Sequence, residues 1–185
     1  MKYIKLLILF FLIIFYPNIL FASNTLINQL KEGGKIIFIR HSYAPGTGDP
    51  VNFLIRDCST QRNLNKKGIQ QSKTIGKFFK DNQIPIDKIF SSEWCRCKDT
   101  AFYAFKNYKT NSLLNSFYDD KFKHNKDKQI KDIKKLIKNW KSKKNLILIT
   151  HYVVIWELIN LNSKSGEIIV LDTKFNVIGR LKNKL

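Results

Sequence analysis

Residues 35–41, Lys-Ile-Ile-Phe-Ile-Arg-His, form the stretch of sequence that decides the fold. A short run of consecutive apolar residues is typical of a strand that is buried on both faces, as in a parallel sheet. After it, residues 41–65 contain two prolines and two glycines and show no hydrophobic periodicity. The stretch therefore predicts a central strand that leads into a long loop, and long loops inside a domain are usually functional.

Residues 86–91 predict a second strand, and the apolar run Asn145–Thr150 predicts a third, buried strand. Segments with helical spacing are predicted at residues 25–31, over about 17 residues after the N-cap Asn65, and at residues 93–105, 126–141 and 153–161. Residues 167–171 and 175–181 suit a closing hairpin. Strands that alternate with helices favour an α/β fold. We expect a three-layer α/β/α sandwich with a mainly parallel sheet and an antiparallel C-terminal hairpin.

Residues 1–22 are predicted to be an export signal, followed by a single domain over residues 23–185. Lys2 and Lys5 precede the apolar run 6–16, which is shorter than the roughly 18–20 residues of a membrane-spanning helix. Ala22 offers a small residue for cleavage, with an uncleaved N-terminal anchor as the alternative. Either way we expect an exported, periplasmic protein.

The balance of charges predicts an anionic partner. The 185 residues include 33 lysines and arginines against 14 aspartates and glutamates, which gives a formal net charge of +19. The lysines are scattered among asparagines, so no focused nucleic-acid patch is expected, and contact with an anionic membrane surface stays open. Only five of the basic residues are arginine, so each arginine is a candidate for a specific task.

The predicted strand ends carry the candidate catalytic residues. His41 and His151 directly follow the first and third strands, Arg40 precedes His41, and Arg96 lies just after the second strand. Chemistry in such sheets takes place beyond the carboxyl ends of the strands. A neutral imidazole can attack phosphorus, and a guanidinium matches phosphate oxygens. A metal site is the weaker alternative, because arginines repel cations and there is no acidic cluster, so neither a metal nor a cofactor is expected.

Several motifs resemble those of the histidine phosphatase superfamily, which has the phosphoglycerate-mutase-like fold. Arg40-His41-Ser42 stands where that family has Arg-His-Gly, and residues 64–71 (LNKKGIQQ) are similar to its Leu-Thr-x-x-Gly-x-x-Gln segment. Residues 91–101 resemble the segment with its second arginine, and residues 149–151 the segment with its second histidine. The strings RHSYAPGTGDP, DCSTQRNL, SSEWCRCKDTA, LNSFYDD and SKSGEIIVL most resemble small exported bacterial members.

The resemblance implies a metal-independent phosphatase that forms a phosphohistidine at His41, with Arg40, Arg96 and His151 completing the phosphate pocket. The substrate would be a phosphomonoester or a pyrophosphate, either a small molecule or a phosphorylated envelope glycan. The alternative is a non-catalytic, basic, anion-binding envelope protein on the same scaffold. Tyr152 stands where many relatives have glycine, which predicts a narrower or lidded pocket.

The residue that protonates the leaving oxygen is not singled out by the sequence. Glu167, at the start of the penultimate strand, is the first choice, with Glu93, Asp119 and Asp120 as rivals. Further substrate contacts are expected from residues in the loop and after the second helical region: Arg56, Arg62, Asn115 and Ser116.

The three cysteines are predicted to form one disulfide, between Cys58 and Cys95, and to leave Cys97 reduced. Export supplies an oxidising compartment. Cys95 and Cys97 are two residues apart near a helix start, where their side chains diverge. Cys58 and Cys95 follow two different strands, so neighbouring strands would bring both to the same edge of the sheet.

Overall fold

The computed structural model describes residues 17–182. Its helices are α1 (Pro17–Glu32), α2 (Lys66–Asp81), α3 (Cys95–Phe105), α4 (Asp120–Lys123), α5 (Lys126–Lys138) and α6 (Tyr152–Ile159). Its strands are β1 (Ile36–Arg40), β2 (Ile86–Ser91), β3 (Lys109–Thr110), β4 (Asn145–Thr150), β5 (Ile168–Leu171) and β6 (Val177–Leu181). Two short 3₁₀ turns lie at Cys58–Thr60 and Ser112–Leu114.

The strands form one sheet in the order β3-β2-β4-β1-β5-β6. β4 lies between β1 and β2 and runs parallel to both, while β5 pairs antiparallel with β1 and with β6. The predicted α/β fold, a mainly parallel sheet with an antiparallel C-terminal hairpin, is therefore confirmed. Because β1, β4 and β2 are neighbours and run parallel, their carboxyl ends lie at the same edge of the sheet.

The two faces of the sheet bury different side chains of the same strands, because successive residues of a strand point to opposite faces. Ile36 and Phe38 belong to a core cluster that includes apolar residues of α5 and α6. Ile37 and Ile39 belong to a second cluster with apolar residues of α1, α2 and α3. Helices therefore cover both faces, which explains why β1 and β4 read as continuous apolar runs rather than alternating ones.

Several boundaries differ from the sequence expectations. Helix α1 begins at Pro17, which is compatible with the first turn of a helix because proline there lacks only an N–H that would be unpaired. Helix α3 begins at Cys95 instead of residue 93, because Trp94 is extended and serves as the N-cap residue. The two-residue strand β3 and the single-turn helix α4 carry no apolar pattern, and the sequence did not predict them.

The expected export signal lies mostly outside the part of the chain that the structure describes. Residues 1–16 are not described, and the backbone of residues 17–22 is helical. Within residues 17–182, no helix combines the length and the apolar character that a membrane span requires. The export signal stays a prediction.

Candidate active site

Residues that follow β1 and β4 stand side by side because the two strands pair in register, with Arg40 opposite Thr150. The His41 backbone N–H donates to the Thr150 carbonyl at 2.9 Å, which extends the ladder one residue past the strands. The His41 and His151 rings then lie 5.6 Å apart between centroids, edge to face. Both are buried, with 3% of each residue exposed.

His41 is a neutral imidazole with one free nitrogen. Its Nδ1 lies 2.8 Å from the Ser42 carbonyl oxygen, and because a carbonyl only accepts hydrogen bonds, Nδ1 carries the proton. Nε2 therefore keeps its lone pair. Burial, and then the charges of Arg96 and Arg40, hold the pKa of His41 well below 6.5, so the ring stays neutral at neutral pH.

Each of two arginines is held by one nitrogen and leaves another unsatisfied. Arg40 Nη1 donates to the Ser163 carbonyl at 2.6 Å, and Arg96 Nη1 contacts both carboxylate oxygens of Asp49 at 2.8 and 3.0 Å. The Nε atoms of Arg40 and Arg96 are buried and find no partner within residues 17–182. A buried orphan donor costs about 1–3 kcal/mol, so both sites favour the arrival of an anion.

These side chains line a cavity of about 290 Å³. Its other walls come from residues 46–49 of the long loop, from Arg62 and Ser116, from the carboxylate-bearing Asp119, and from four aromatic residues: Phe53, Trp94, Tyr118 and Tyr152. The Arg40 guanidinium carbon lies 5.5 Å from the centre of the Tyr152 ring, which covers it. The cavity is small, carries three arginines against two aspartates and is walled by aromatic rings, which suits a phosphate attached to a small group.

Asp49 fastens the long loop to this cavity, and the sequence analysis missed it. Besides Arg96, its carboxylate accepts from the indole N–H of Trp94 at 3.1 Å and from the Arg62 backbone N–H at 3.0 Å. Arg62 in turn donates to the loop carbonyls of Gly48 and Ala44, both at 2.6 Å. The only available signal was indirect: a buried arginine requires a partner.

A disulfide joins Cys58 in the loop to Cys95, the first residue of α3, with a Cα–Cα distance of 5.6 Å. It therefore ties the loop to the residue that precedes Arg96. Cys97 is a buried free thiol, and burial raises its pKa to about 12, which keeps it protonated.

Glu167, the first choice for the proton donor, does not line the cavity, so its position does not support that role. Its side chain is fully buried and accepts from Arg180 Nε at 2.7 Å and from the Lys164 N–H at 2.7 Å. Of its rivals, Glu93 binds the Asn115 amide and Asp120 pairs with Lys123 on the surface. Among residues 17–182, the carboxylates that line the cavity are Asp49 and Asp119.

The four expected substrate contacts divide into two pairs. Arg62 and Ser116 line the cavity, whereas Arg56 and Asn115 do not. Arg56 is exposed in the loop, and the Asn115 amide is used in hydrogen bonds to Ser92 and Glu93. Over the described part of the chain, no group of three or more His, Cys, Asp or Glu side chains could hold a metal ion.

Comparison with known proteins gives a family match over part of the chain. Residues 36–123 match the histidine phosphatase superfamily, branch 1. This segment contains Arg40, His41, Asp49 and Arg96, and it ends before β4. The resemblance seen in the sequence motifs is confirmed. No curated protein matches the chain at a significant level.

Solved structures share the fold at low sequence identity. The chain superposes on phosphoserine phosphatase from Entamoeba histolytica in complex with 3-phosphoglyceric acid with a TM-score of 0.59 and 14% identity, covering 81% of this chain and 98% of that one. The protein histidine phosphatase SixA complexed with tungstate gives 0.55 and 15%, covering 77% and 92%. A mycobacterial glucosyl-3-phosphoglycerate phosphatase with VO3 gives 0.53 and 12%, covering 76% and 93%.

Proposed function

Since residues 36–123 belong to the histidine phosphatase superfamily, we propose that this chain is a phosphatase that hydrolyses phosphomonoesters or pyrophosphates through a phosphohistidine at His41. One observation carries the proposal: the unprotonated Nε2 of a buried, neutral His41 shares a cavity with two arginines whose Nε donors have no partner within residues 17–182. Phosphoryl transfer requires a nucleophile beside hydrogen-bond donors that are available to the phosphate oxygens.

Binding places the phosphoryl oxygens on Arg40 and Arg96. The guanidinium of Arg96 is fixed at Nη1 by Asp49, and one Nη2 hydrogen faces His151 Nδ1, which leaves Nε–H and the second Nη2–H for a phosphate. These two N–H groups are parallel, the geometry that matches two phosphate oxygens. Each contact also gives a hydrogen-bond partner to a buried donor that has none without the ligand, which favours binding.

The reaction then proceeds in two displacements. His41 Nε2 attacks phosphorus, the bond from phosphorus to the leaving oxygen breaks, and that oxygen takes a proton from Asp119. Water next attacks the phosphohistidine, gives its proton to the Asp119 carboxylate, and inorganic phosphate leaves with His41 neutral again. Arg40 and Arg96 stabilise the negative charge on the equatorial oxygens in both steps. Asp119 replaces Glu167 as the proposed proton donor because it lines the cavity.

The size of the cavity and the chemistry of the chain support the proposed substrate class and location. About 290 Å³ accepts a small phosphate ester, or the phosphorylated end of an envelope glycan. A net charge of +19 attracts such anions and suits contact with an anionic membrane surface. The disulfide is compatible with an oxidising compartment, which supports export to the periplasm.

Hydrolysis of an aryl phosphate tests the proposal. The wild-type protein, treated with a chelator, should release phosphate, and His41→Ala should not. Labelled substrate should leave an acid-labile, base-stable adduct on wild type alone. His124→Ala is the matched control, because His124 does not line the cavity, and it should retain the label. Phosphate binding without turnover would favour the anion-binding alternative, and loss of turnover on chelation would overturn metal independence.

A further inference from the structure

His151 is the end of a hydrogen-bonded chain that leads away from the cavity. Its Nε2 lies 2.9 Å from Ser92 Oγ, and Ser92 Oγ lies 3.1 Å from Asn115 Oδ1. Asn115 Nδ2 donates to Glu93 Oε2 at 2.6 Å, and the Glu93 backbone N–H donates back to Asn115 Oδ1 at 2.9 Å. None of Ser92, Glu93 and Asn115 lines the cavity, and the reaction proposed above does not use them.

The chemistry of the groups fixes the direction of every hydrogen in this chain. An ionised carboxylate only accepts, so the Asn115 NH₂ must face Glu93 and the Asn115 oxygen must face Ser92. The single hydroxyl hydrogen of Ser92 then goes to that oxygen. Ser92 Oγ therefore accepts the bond from His151, and Nε2 carries the proton. The tautomer of His151 is set by a carboxylate three links away.

The other neighbours of the ring agree with this assignment. The Cys97 thiol lies 3.7 Å from the Thr150 carbonyl and gives its hydrogen there, so its sulfur, 3.5 Å from His151 Nε2, can only accept from the ring. On the other side, Arg96 Nη2 lies 3.4 Å from His151 Nδ1. A guanidinium only donates, which matches an unprotonated Nδ1.

We propose that Glu93, Asn115 and Ser92 are positioning residues that hold His151 as its Nε2–H tautomer, so that Nδ1 takes up one proton from solvent when phosphate binds. The new Nδ1–H bond donates to a phosphate oxygen, and the proton returns to solvent when phosphate leaves. This inference rests on the proposed function, because it assumes that the cavity binds phosphate. Nδ1 is the nitrogen beside Arg96, so the proton arrives on the side where the ligand is held.

The charges around His151 explain why Nδ1 takes up a proton only when phosphate is bound. The groups that act on the ring are cationic or neutral: Arg96, Arg62, Arg40, His41 and the protonated thiol of Cys97. Asp49 offsets the charge of Arg96. Burial and then Arg96 hold the pKa of His151 well below 6.5 in the free protein. A phosphate dianion reverses the sign of the local charge and favours the imidazolium.

The tautomer can be read directly in the wild-type protein. With only three histidines in the chain, ¹⁵N-labelled histidine gives three ring systems, and His124→Gln and His41→Gln identify His151 by elimination. We expect Nε2 of His151 to be protonated and Nδ1 bare without ligand. A protonated Nδ1 in the free protein would overturn the inference, whether or not the protein is a phosphatase.

Calorimetry with inorganic phosphate at pH 8, in buffers of different ionisation enthalpy, measures the proton uptake. Wild type should take up about one proton per phosphate. Ser92→Ala removes the acceptor of the His151 Nε2–H bond, and Glu93→Gln removes the negative charge at the far end of the hydrogen-bonded chain. A hydrogen bond to a charged group is worth about one pKa unit or more. Phosphate affinity should decline above a certain pH, and in both variants that pH should be lower by about one unit than in wild type. At pH 8 the variants should also take up fewer protons per bound phosphate.

Ser91→Ala is the matched control, because Ser91 is equally buried and donates only to the Ser92 carbonyl. It should behave as wild type. Equal proton uptake in wild type, Ser92→Ala and Glu93→Gln would overturn the inference. So would a change in the pH dependence of Ser91→Ala as large as in those two variants. Failure of the wild type to bind phosphate would instead overturn the proposed function, while the ring nitrogens still decide the tautomer.

Discussion

Asp49 and Arg96 form a buried ion pair in which both carboxylate oxygens lie within 3.0 Å of a single guanidinium nitrogen, Nη1. The two side chains are 7% and 4% exposed. The pair joins the long loop after β1 to the first turn of α3. It also decides which edge of the guanidinium faces the ligand, since Nη1 is occupied and Nε is not.

Asp49→Ala should lower both stability and activity. Removing one partner of a buried pair typically costs about 3–5 kcal/mol, and a misdirected Arg96 should reduce kcat/KM by up to about 10²-fold. Urea unfolding and aryl phosphate turnover measure the two effects. Asp81→Ala, which breaks the exposed pair with Lys77, should change stability by less than about 1 kcal/mol. Equal effects of the two substitutions would contradict the role given to Asp49.

Arg96→Ala and Arg180→Ala should fail in different ways. Loss of Arg96 removes a charge that acts on the transferring phosphoryl group, so kcat should fall about 10²–10³-fold. Loss of Arg180 leaves the fully buried Glu167 carboxylate without its cation, so the free energy of unfolding should fall while kcat of the remaining folded enzyme changes little. Comparable kcat values for the two variants would contradict the pocket described above.

Asp119→Asn should slow the hydrolysis of substrates with a poor leaving group more than that of substrates with a good one. An alkyl phosphate needs a proton on its departing oxygen, and general acid catalysis contributes about 10²–10⁴-fold. A nitrophenyl phosphate leaves readily and should be affected much less. Asp120→Asn, next along the chain but paired with Lys123, should leave both rates near wild type. If Glu167→Gln alone shows the leaving-group dependence, the assignment returns to Glu167.

Reduction should lower stability and activity together. The disulfide closes a loop of 37 residues, for which the chain-entropy model gives roughly 3–4 kcal/mol. It also tethers the cavity wall beside Arg96. Chemical denaturation and turnover, with and without reductant, measure both. The double variant Cys58→Ser/Cys95→Ser should match the reduced wild type and should not respond to reductant, and a further response would point to Cys97.

Stability should decline as the pH falls below about 6.5. Both buried histidines have pKa values well below that value in the folded chain, so above pH 6.5 neither state binds their protons. Below it the unfolded chain binds protons that the folded chain does not, which costs up to about 1.4 kcal/mol per pH unit per histidine. Urea unfolding between pH 7.5 and 5 should show this slope, and His41→Asn should about halve it. A rise in stability over that range would contradict the prediction.

β1 and β4 could be predicted from the sequence because burial on both faces requires an apolar run, which is a strong local signal. Ile86–Ser91 and Asn145–Thr150 were predicted to the residue, and β1 to within one. Because active sites of parallel sheets lie beyond the carboxyl ends of the strands, the sequence also predicted the place of His41, Arg40, Arg96 and His151. Their proposed roles depend on the experiments above.

Partners that come from distant parts of the chain could not be predicted. Asp49 lies in a loop without periodicity, and its contact with Arg96 depends on how that loop folds back. The orientation of Glu167 could not be predicted either, because a position at a strand start does not tell which way the side chain points. Its real partner, Arg180, reaches it through the pairing of β5 with β6.

The central place of β4 in the sheet has a kinetic consequence. β4 lies between β1 and β2 in the sheet, so these two strands cannot become part of one sheet until residues 145–150 have been synthesised. Such long-range pairing is slow, because a large chain closure must precede the stabilising contacts. Cys58 and Cys95, by contrast, are both present early in synthesis. The cross-link can shorten that closure before β4 inserts, and the insertion that completes the sheet also delivers His151 to His41.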